Sequence, residues 1–169
     1  MRTTLLGGLL AGVRYNTARK LERIRLFEVG RVFLRDPSVK DGPLEVAGLR
    51  QPMRVAAVAC GPAVEEQWGV KPSRAVDFFD LKGRIELMLS GLRLTNFSYT
   101  ATDSYSHLHP GKAAEVKAGD KVIGVFGEMH PLVKEQYELG DSPVLIAEFD
   151  LDTMRAIAPT YGIKTIPET

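Results

Sequence analysis

The residues of this sequence whose types and spacing suggest chemistry are its three histidines, its single cysteine and a short run of arginines. In His107-x-His109 two imidazoles would share one face of a strand, and His130 could add a third nitrogen, as a metal site requires. Neither a carboxylate nor a cysteine stands at an accompanying ligand spacing. A small metal-dependent hydrolase built on His107, His109 and His130 is therefore a lesser alternative to two structural roles. His109-Pro110-Gly111 reads as a loop, and His130 as the cap of a helix opening at Pro131, a position that needs no amide donor. Cys60 lies in the most apolar strand-like run, where burial raises a thiol's pKa and leaves it inert. The sequence contains no Gly-x-Ser-x-Gly elbow, Gly-x-Gly-x-x-Gly turn or Gly-x-x-x-x-Gly-Lys loop. Gly124-x-x-Gly127 marks close strand packing. These residues do not describe a self-contained enzyme.

The basic run comprises Arg14, Arg19, Lys20, Arg23 and Arg25. It is either a solvated face or a patch that touches a nucleic-acid backbone. A dedicated binder carries a domain-wide positive excess, whereas 22 Lys+Arg against 21 Asp+Glu leaves a net charge of +1. A free-standing nucleic-acid-binding module using residues 14–25 is the alternative function.

Periodicity supplies the elements that must position these groups. Leu5, Leu6, Leu9, Leu10 and Val13 form a helical stripe, predicting a helix near 4–19 that Thr3 or Thr4 can cap. The run from Arg25 to Leu34 reads as a strand, followed by turns at Asp36-Pro37-Ser38 and Asp41-Gly42-Pro43 and a short return strand at 46–49. Residues 54–60, closed by Gly61-Pro62, read as a central strand, and a loop at 65–72 carries Trp68. Asp77 caps a helix with Phe78, Leu81, Ile85, Met88 and Leu92 on one face. Phe97, Tyr99 and Ala101 alternate as a half-exposed strand, and strands at 113–117 and 121–126 flank a hairpin at Gly119-Asp120. Leu132, Val133 and Tyr137 form the apolar face of the helix opening at Pro131. Residues 144–149 make a last strand, and Asp152 can cap a short helix ending before Pro159. The expected fold is α+β, with a largely antiparallel sheet and flanking helices.

A chain of 169 residues with 44% hydrophobic and 25% charged residues can bury one core, and it excludes disorder, collagen and coiled coil. Its apolar stretches fall short of the roughly 20 residues that cross a bilayer. A single cysteine fits a reducing compartment, so the expectation is a cytoplasmic, non-membrane protein.

Several phrases in order resemble one family. They are Met1-Arg-Thr-Thr-Leu-Leu, Gly8-Leu-Leu10, Asn16 with Arg19-Lys20, Arg25-Leu-Phe-Glu-Val-Gly-Arg-Val-Phe33, Trp68-Gly69, Val76-Asp-Phe-Phe-Asp-Leu-Lys-Gly83, Leu108-His-Pro-Gly-Lys112 and Val122-Ile-Gly-Val-Phe-Gly-Glu-Met-His-Pro131. This succession, collinear from Met1 to about Asp152, resembles the β subunit of bacterial phenylalanyl-tRNA synthetase. The resemblance implies a core similar to a class II aminoacyl-tRNA synthetase catalytic domain. That core would be a single domain over residues 1–169, excised from a longer subunit, with 159–169 as a linker toward an anticodon-binding domain. It further implies that phenylalanine activation, with its ATP and Mg²⁺, belongs to the α subunit. This core would carry no catalytic, cofactor or metal residues and would help assemble an (αβ)₂ tetramer, tRNA being held mainly by other domains. Arg25 to Arg31 resembles the second-motif strand of that class in outline, while Val122 to Met129 has the glycines but no arginine. Candidate subunit-interface or tRNA-proximal residues are Leu5, Leu9, Val13, Arg14, Asn16, Arg19, Lys20, Arg23, Arg25, Glu28 and Arg31. Whether the Leu5–Val13 stripe meets a partner or its own core stays open at this level, as does self-association of the isolated domain.

Overall fold

In the computed structural model, which describes residues 1–70 and 74–158, helix α1 (Leu6–Thr17) leads into strand β1 (Ile24–Arg31). A projecting arm carries the two-residue strands β2 (Leu34–Arg35) and β3 (Leu49–Arg50), and the chain returns as β4 (Met53–Cys60). Helix α2 (Phe78–Gly91) follows, then β5 (Ser98–Ala101), β6 (Leu108–Ala118) and β7 (Lys121–Met129). Helix α3 (Pro131–Gln136), strand β8 (Val144–Asp150) and helix α4 (Leu151–Ile157) complete the described chain. Six strands form one sheet in the order β1-β4-β8-β7-β6-β5, and every pairing in it is antiparallel. The α+β expectation holds. No helix among the described residues is long and apolar enough to cross a membrane.

Helices cover both faces of the sheet. On one face Leu5, Leu6, Leu9, Leu10 and Val13 pack against Ala56, Val58 and Cys60 of β4 and Val144 and Ile146 of β8, with Val133 and Tyr137 from the α3 region alongside. Each fully buried leucine contributes about 1.5–3 kcal/mol, so the four leucines of this stripe together outweigh any single cap and packing is what anchors α1. Gly12 lets the helix approach β1. A Cβ at Gly12 would stand 3.1 Å from Leu26 Cδ1. The start of α1 is held from across the sheet: Glu148, in the middle of β8, accepts hydrogen bonds from Thr4 Oγ1 at 2.8 Å and from the Leu5 amide at 3.2 Å. Neither expected threonine is the N-cap, which is Leu5 without a side-chain cap bond, although Thr4 accepts from the Leu6 amide at 3.2 Å.

On the other face Leu81, Ile85 and Leu89 of α2 and Met154 of α4 pack on Ala114, Val116, Ile123, Phe126, Leu145, Ala147 and Phe149. Phe78 stacks on Phe126 with ring centroids 4.8 Å apart. Asp77 caps α2 as expected, and Asp80 answers by accepting from the Asp77 amide, which closes a capping box.

The remaining departures from the sequence reading have local causes. The strand expected at 25–34 divides into β1 and β2, because Val32 turns in to donate its amide to Pro52 O at 3.1 Å. The helix expected at 4–19 is shorter, ending at Thr17. His109-Pro110-Gly111 is not a free loop but part of β6, at a register shift against β7 where the Gly111 amide donates to His109 Nδ1. His130 does cap α3, accepting from the Leu132 amide, but Leu132 points to solvent rather than the core. The cap of α4 is Asp150, which accepts from the Thr153 amide at 2.9 Å, whereas Asp152 accepts from the Met53 amide at 2.8 Å. The linker expected at 159–169 and part of the loop expected at 65–72 lie outside the described residues.

Candidate subunit interface and sheet cleft

The candidate residues do not form one patch. Leu5, Leu9 and Val13 are core residues of this chain, so the α1 stripe offers no surface to a partner. The basic run is dispersed by its own contacts. Arg14 pairs with Glu138, and Arg19 lies over the Tyr15 ring, 3.4 Å from its centroid, while donating to Tyr15 O. Asn16 Nδ2 donates to Gly12 O at 2.7 Å, and Lys20 takes a positive φ of 62° in the turn that leaves α1. Arg23 pairs with Glu65 at 2.9 Å. Glu28 pairs with Arg2, and Arg31 donates to Gln51 O at 2.8 Å.

Arg25 is the most committed of these side chains. It reaches across the end of β4 and donates to Ile24 O at 2.8 Å, to Cys60 O at 2.5 Å and to Pro62 O at 2.8 Å. Its fork therefore closes the start of the β4–α2 connection, where Gly61, at φ +82°, passes so close that a Cβ would stand 1.7 Å from Glu22 O. Burial lowers the pKa of Arg25 and raises that of the Cys60 thiol, the Arg25 charge partly opposing the latter shift. Cys60 is buried in the sheet, where a thiol of raised pKa makes no nucleophile.

What sequence reasoning missed is the uncovered part of the sheet. Strand β1 lies at the sheet edge, and α1 covers only one of its faces. Phe27 and Val29 emerge on the opposite face with 76% and 49% of their surface exposed. The alternation Leu26/Phe27/Glu28/Val29 is apolar on both faces, which gave no signal of which face lacks cover. Beside Phe27, between β1, β4 and the first turns of α2, lies a cleft of about 370 Å³. Its floor is built from Ala57 and Ala59, and Arg23, Arg84 and Asp80 stand around it. Arg74 holds Asp80 in a two-pronged ion pair at 2.5 and 2.9 Å, and this hydrogen bonding keeps the Asp80 carboxyl down at about 2.

The histidines stay apart in role. His107 is half-buried just before β6, and burial pushes its pKa down, only partly opposed by the charge of Glu148. His109 and His130 each spend a ring nitrogen on a local amide. Among the described residues no group of three or more histidine, cysteine, aspartate or glutamate side chains is placed to hold a metal ion.

Comparison with known proteins agrees with this geometry. A family model described as the phenylalanyl tRNA synthetase beta chain CLM domain matches residues 1–151. The chain is 54% identical over 162 residues to the phenylalanine–tRNA ligase beta subunit of Ralstonia nicotianae, covering 95% of this chain and 19% of that protein. It is 52% identical over 163 residues to that of Cupriavidus pinatubonensis, covering 96% and 19%. The chain thus spans about a fifth of the length of these relatives. Among solved structures, a pyrrolysyl tRNA synthetase of Desulfitobacterium hafniense matches with a TM-score of 0.62 at 16% identity, over 93% of this chain and 49% of that one. At that identity the likeness is one of fold, and the fold is that of a class II synthetase. With the family model matching residues 1–151, the chain belongs to the phenylalanyl-tRNA synthetase β-chain family, over its CLM domain.

Proposed function

We propose that this chain is the catalytically silent core of a phenylalanine–tRNA ligase β subunit, serving ATP-dependent attachment of phenylalanine to tRNA(Phe) in the cytoplasm by pairing with the α subunit in an (αβ)₂ tetramer. The observation that carries the silent role is the commitment of Arg25. On the strand that resembles the second synthetase motif, its guanidinium is spent on three backbone carbonyls and holds a turn instead of facing a phosphate. Charge neutralisation at a transferring phosphate needs a free, aimed donor. ATP and Mg²⁺ accordingly serve the α subunit.

Pairing falls to β1 rather than to the α1 stripe. Its outer edge leaves unpaired backbone groups, and Val29 adds an apolar contact on the uncovered face. The same edge gives the isolated domain a route to self-association. The basic run supports no independent tRNA surface, since Arg14, Arg23 and Arg25 are engaged within the chain, so tRNA contacts come mainly from other domains. Residues 1–169 act as one domain whose last residues lead onward in the longer subunit.

Val29→Asp in the whole β subunit tests both parts. Capture of α on a column should fall at least about tenfold. Phenylalanine-dependent ATP–pyrophosphate exchange per assembled tetramer should stay unchanged. Undiminished capture by the variant would remove β1 from the interface, and a loss of exchange in tetramers that still assemble would overturn the silent role.

A further inference from the structure

On the half of the sheet away from β1, a groove of about 460 Å³ lies between the α2–β5 connection, the β6–β7 hairpin and the last turn of α4. Its floor is built on Leu94 and Ile123, with Phe97 half-buried beside them. Ile157 forms the wall nearest the end of α4, and 41% of its surface is exposed. Thr95 and Asn96 supply a polar rim.

Helix α4 stops beside this groove. Ala158 ends it in extended backbone, at φ −65° and ψ 138°, and its amide donates to Met154 O at 3.0 Å. The next residue in the sequence is Pro159, which keeps its predecessor out of the helical region. From there the sequence alternates, with Pro159, Tyr161 and Ile163 apolar or aromatic and Thr160, Gly162 and Lys164 small or polar. Such a period of two sends the first set to one side of an extended segment. At about 3.3 Å per residue, Tyr161 comes roughly 10 Å beyond Ala158, within reach of a groove that Ile157 walls. A tyrosine suits the place, because its ring takes an apolar floor while its hydroxyl meets a polar rim. A short tether also gives the segment an effective concentration on the order of millimolar, so a separate partner competes at a disadvantage.

We propose that this groove is the docking site of the chain's own continuation, residues 159–163, with Tyr161 and Ile163 set against Leu94, Ile123 and Ile157. Docking there fixes the direction in which the chain leaves the sheet, away from the β1 edge. The site is independent of the pairing role proposed above, because no residue of β1 lines it.

The test is nuclear magnetic resonance on the labelled chain. Nuclear Overhauser cross-peaks should join the Tyr161 ring to the Leu94 and Ile123 methyls, at positions that do not change with chain concentration. Tyr161→Ser together with Ile163→Ser should lower the folding equilibrium constant about tenfold in a denaturant titration, since two apolar side chains lose their burial. Ile166→Ser, which falls off the alternation, should lower it less than about twofold. Absence of the cross-peaks would overturn the docking, and equal effects of the two sets of substitutions would overturn its register. Leu94 and Ile123 methyl shifts that move with chain concentration would put a second copy in the groove and overturn the assignment of its occupant. The cross-peaks are read on the unsubstituted chain, so they decide the question even if a variant fails to fold.

Discussion

Strands β8 and β1 cross the same sheet with only β4 between them, and each carries a glutamate facing α1, yet the two behave as different materials. In β8 every residue from Val144 to Phe149 is buried, Glu148 included at 8% exposure. In β1 only Ile24 is. Glu148 sits where water is excluded, so its carboxylate needs protein donors, and it finds them in Thr4 and the Leu5 amide. Arg54 adds a longer-range charge, 3.8 Å away. Glu28 sits at the edge, pairs with Arg2 at the surface and keeps access to water. Strand composition does not separate the two cases. What separates them is cover: helices lie over both faces at β8, and over one face at β1.

The contrast can be broken by substitution at the centre and at the edge. Phe126→Ala in β7, beside β8, should cost about 3–5 kcal/mol by denaturant unfolding, since it empties a fully buried ring site stacked on Phe78. A loss below about 1 kcal/mol would mean that the centre is loosely packed. Glu148→Ala should cost about 2–3 kcal/mol by the same measurement, because it leaves the Leu5 amide without its acceptor, while Glu28→Ala costs about 0–1 kcal/mol as a surface pair does. Equal losses for the two would erase the distinction drawn between centre and edge. Phe27→Ser should change stability by no more than about 0.5 kcal/mol, the ordinary effect of a surface substitution. A larger destabilisation would show that the exposed ring is held by this chain rather than awaiting a partner.

The sequence made the centre of this fold readable and its borders less so. The helix capped by Asp77 was visible because an acid, a helical stripe and a following glycine all agreed, and β4 because small and β-branched residues run unbroken to Gly61-Pro62. Glu148 was invisible as a cap. Its partner amide lies at the other end of the chain, and a lone acid in an apolar strand gives no hint of which backbone it meets. Asp150 and Asp152 raise the opposite difficulty, since two acids two residues apart look alike as caps until the strand end is known. The site was hidden more deeply. Arg25 could be noticed as basic, but that its fork closes on Cys60 and Pro62 depends on the turn at Gly61, and an open cleft is a statement about which helix is missing overhead.

The position of β8 between β4 and β7 also sets an order on the birth of the molecule. As the chain leaves the ribosome, β1 and β4 can join as one antiparallel ribbon, and β5, β6 and β7 as another. Neither ribbon bonds to the other except through β8. Translation from Cys60 to Val144 takes roughly 4–17 s at ordinary elongation rates. For that interval β4 presents an open edge, joined by that of β7 once Met129 is made, and the Leu5 amide waits for a carboxylate not yet made. A chain arrested before β8 is thus a pair of half-sheets with facing edges, the form most exposed to joining a neighbour on the same message.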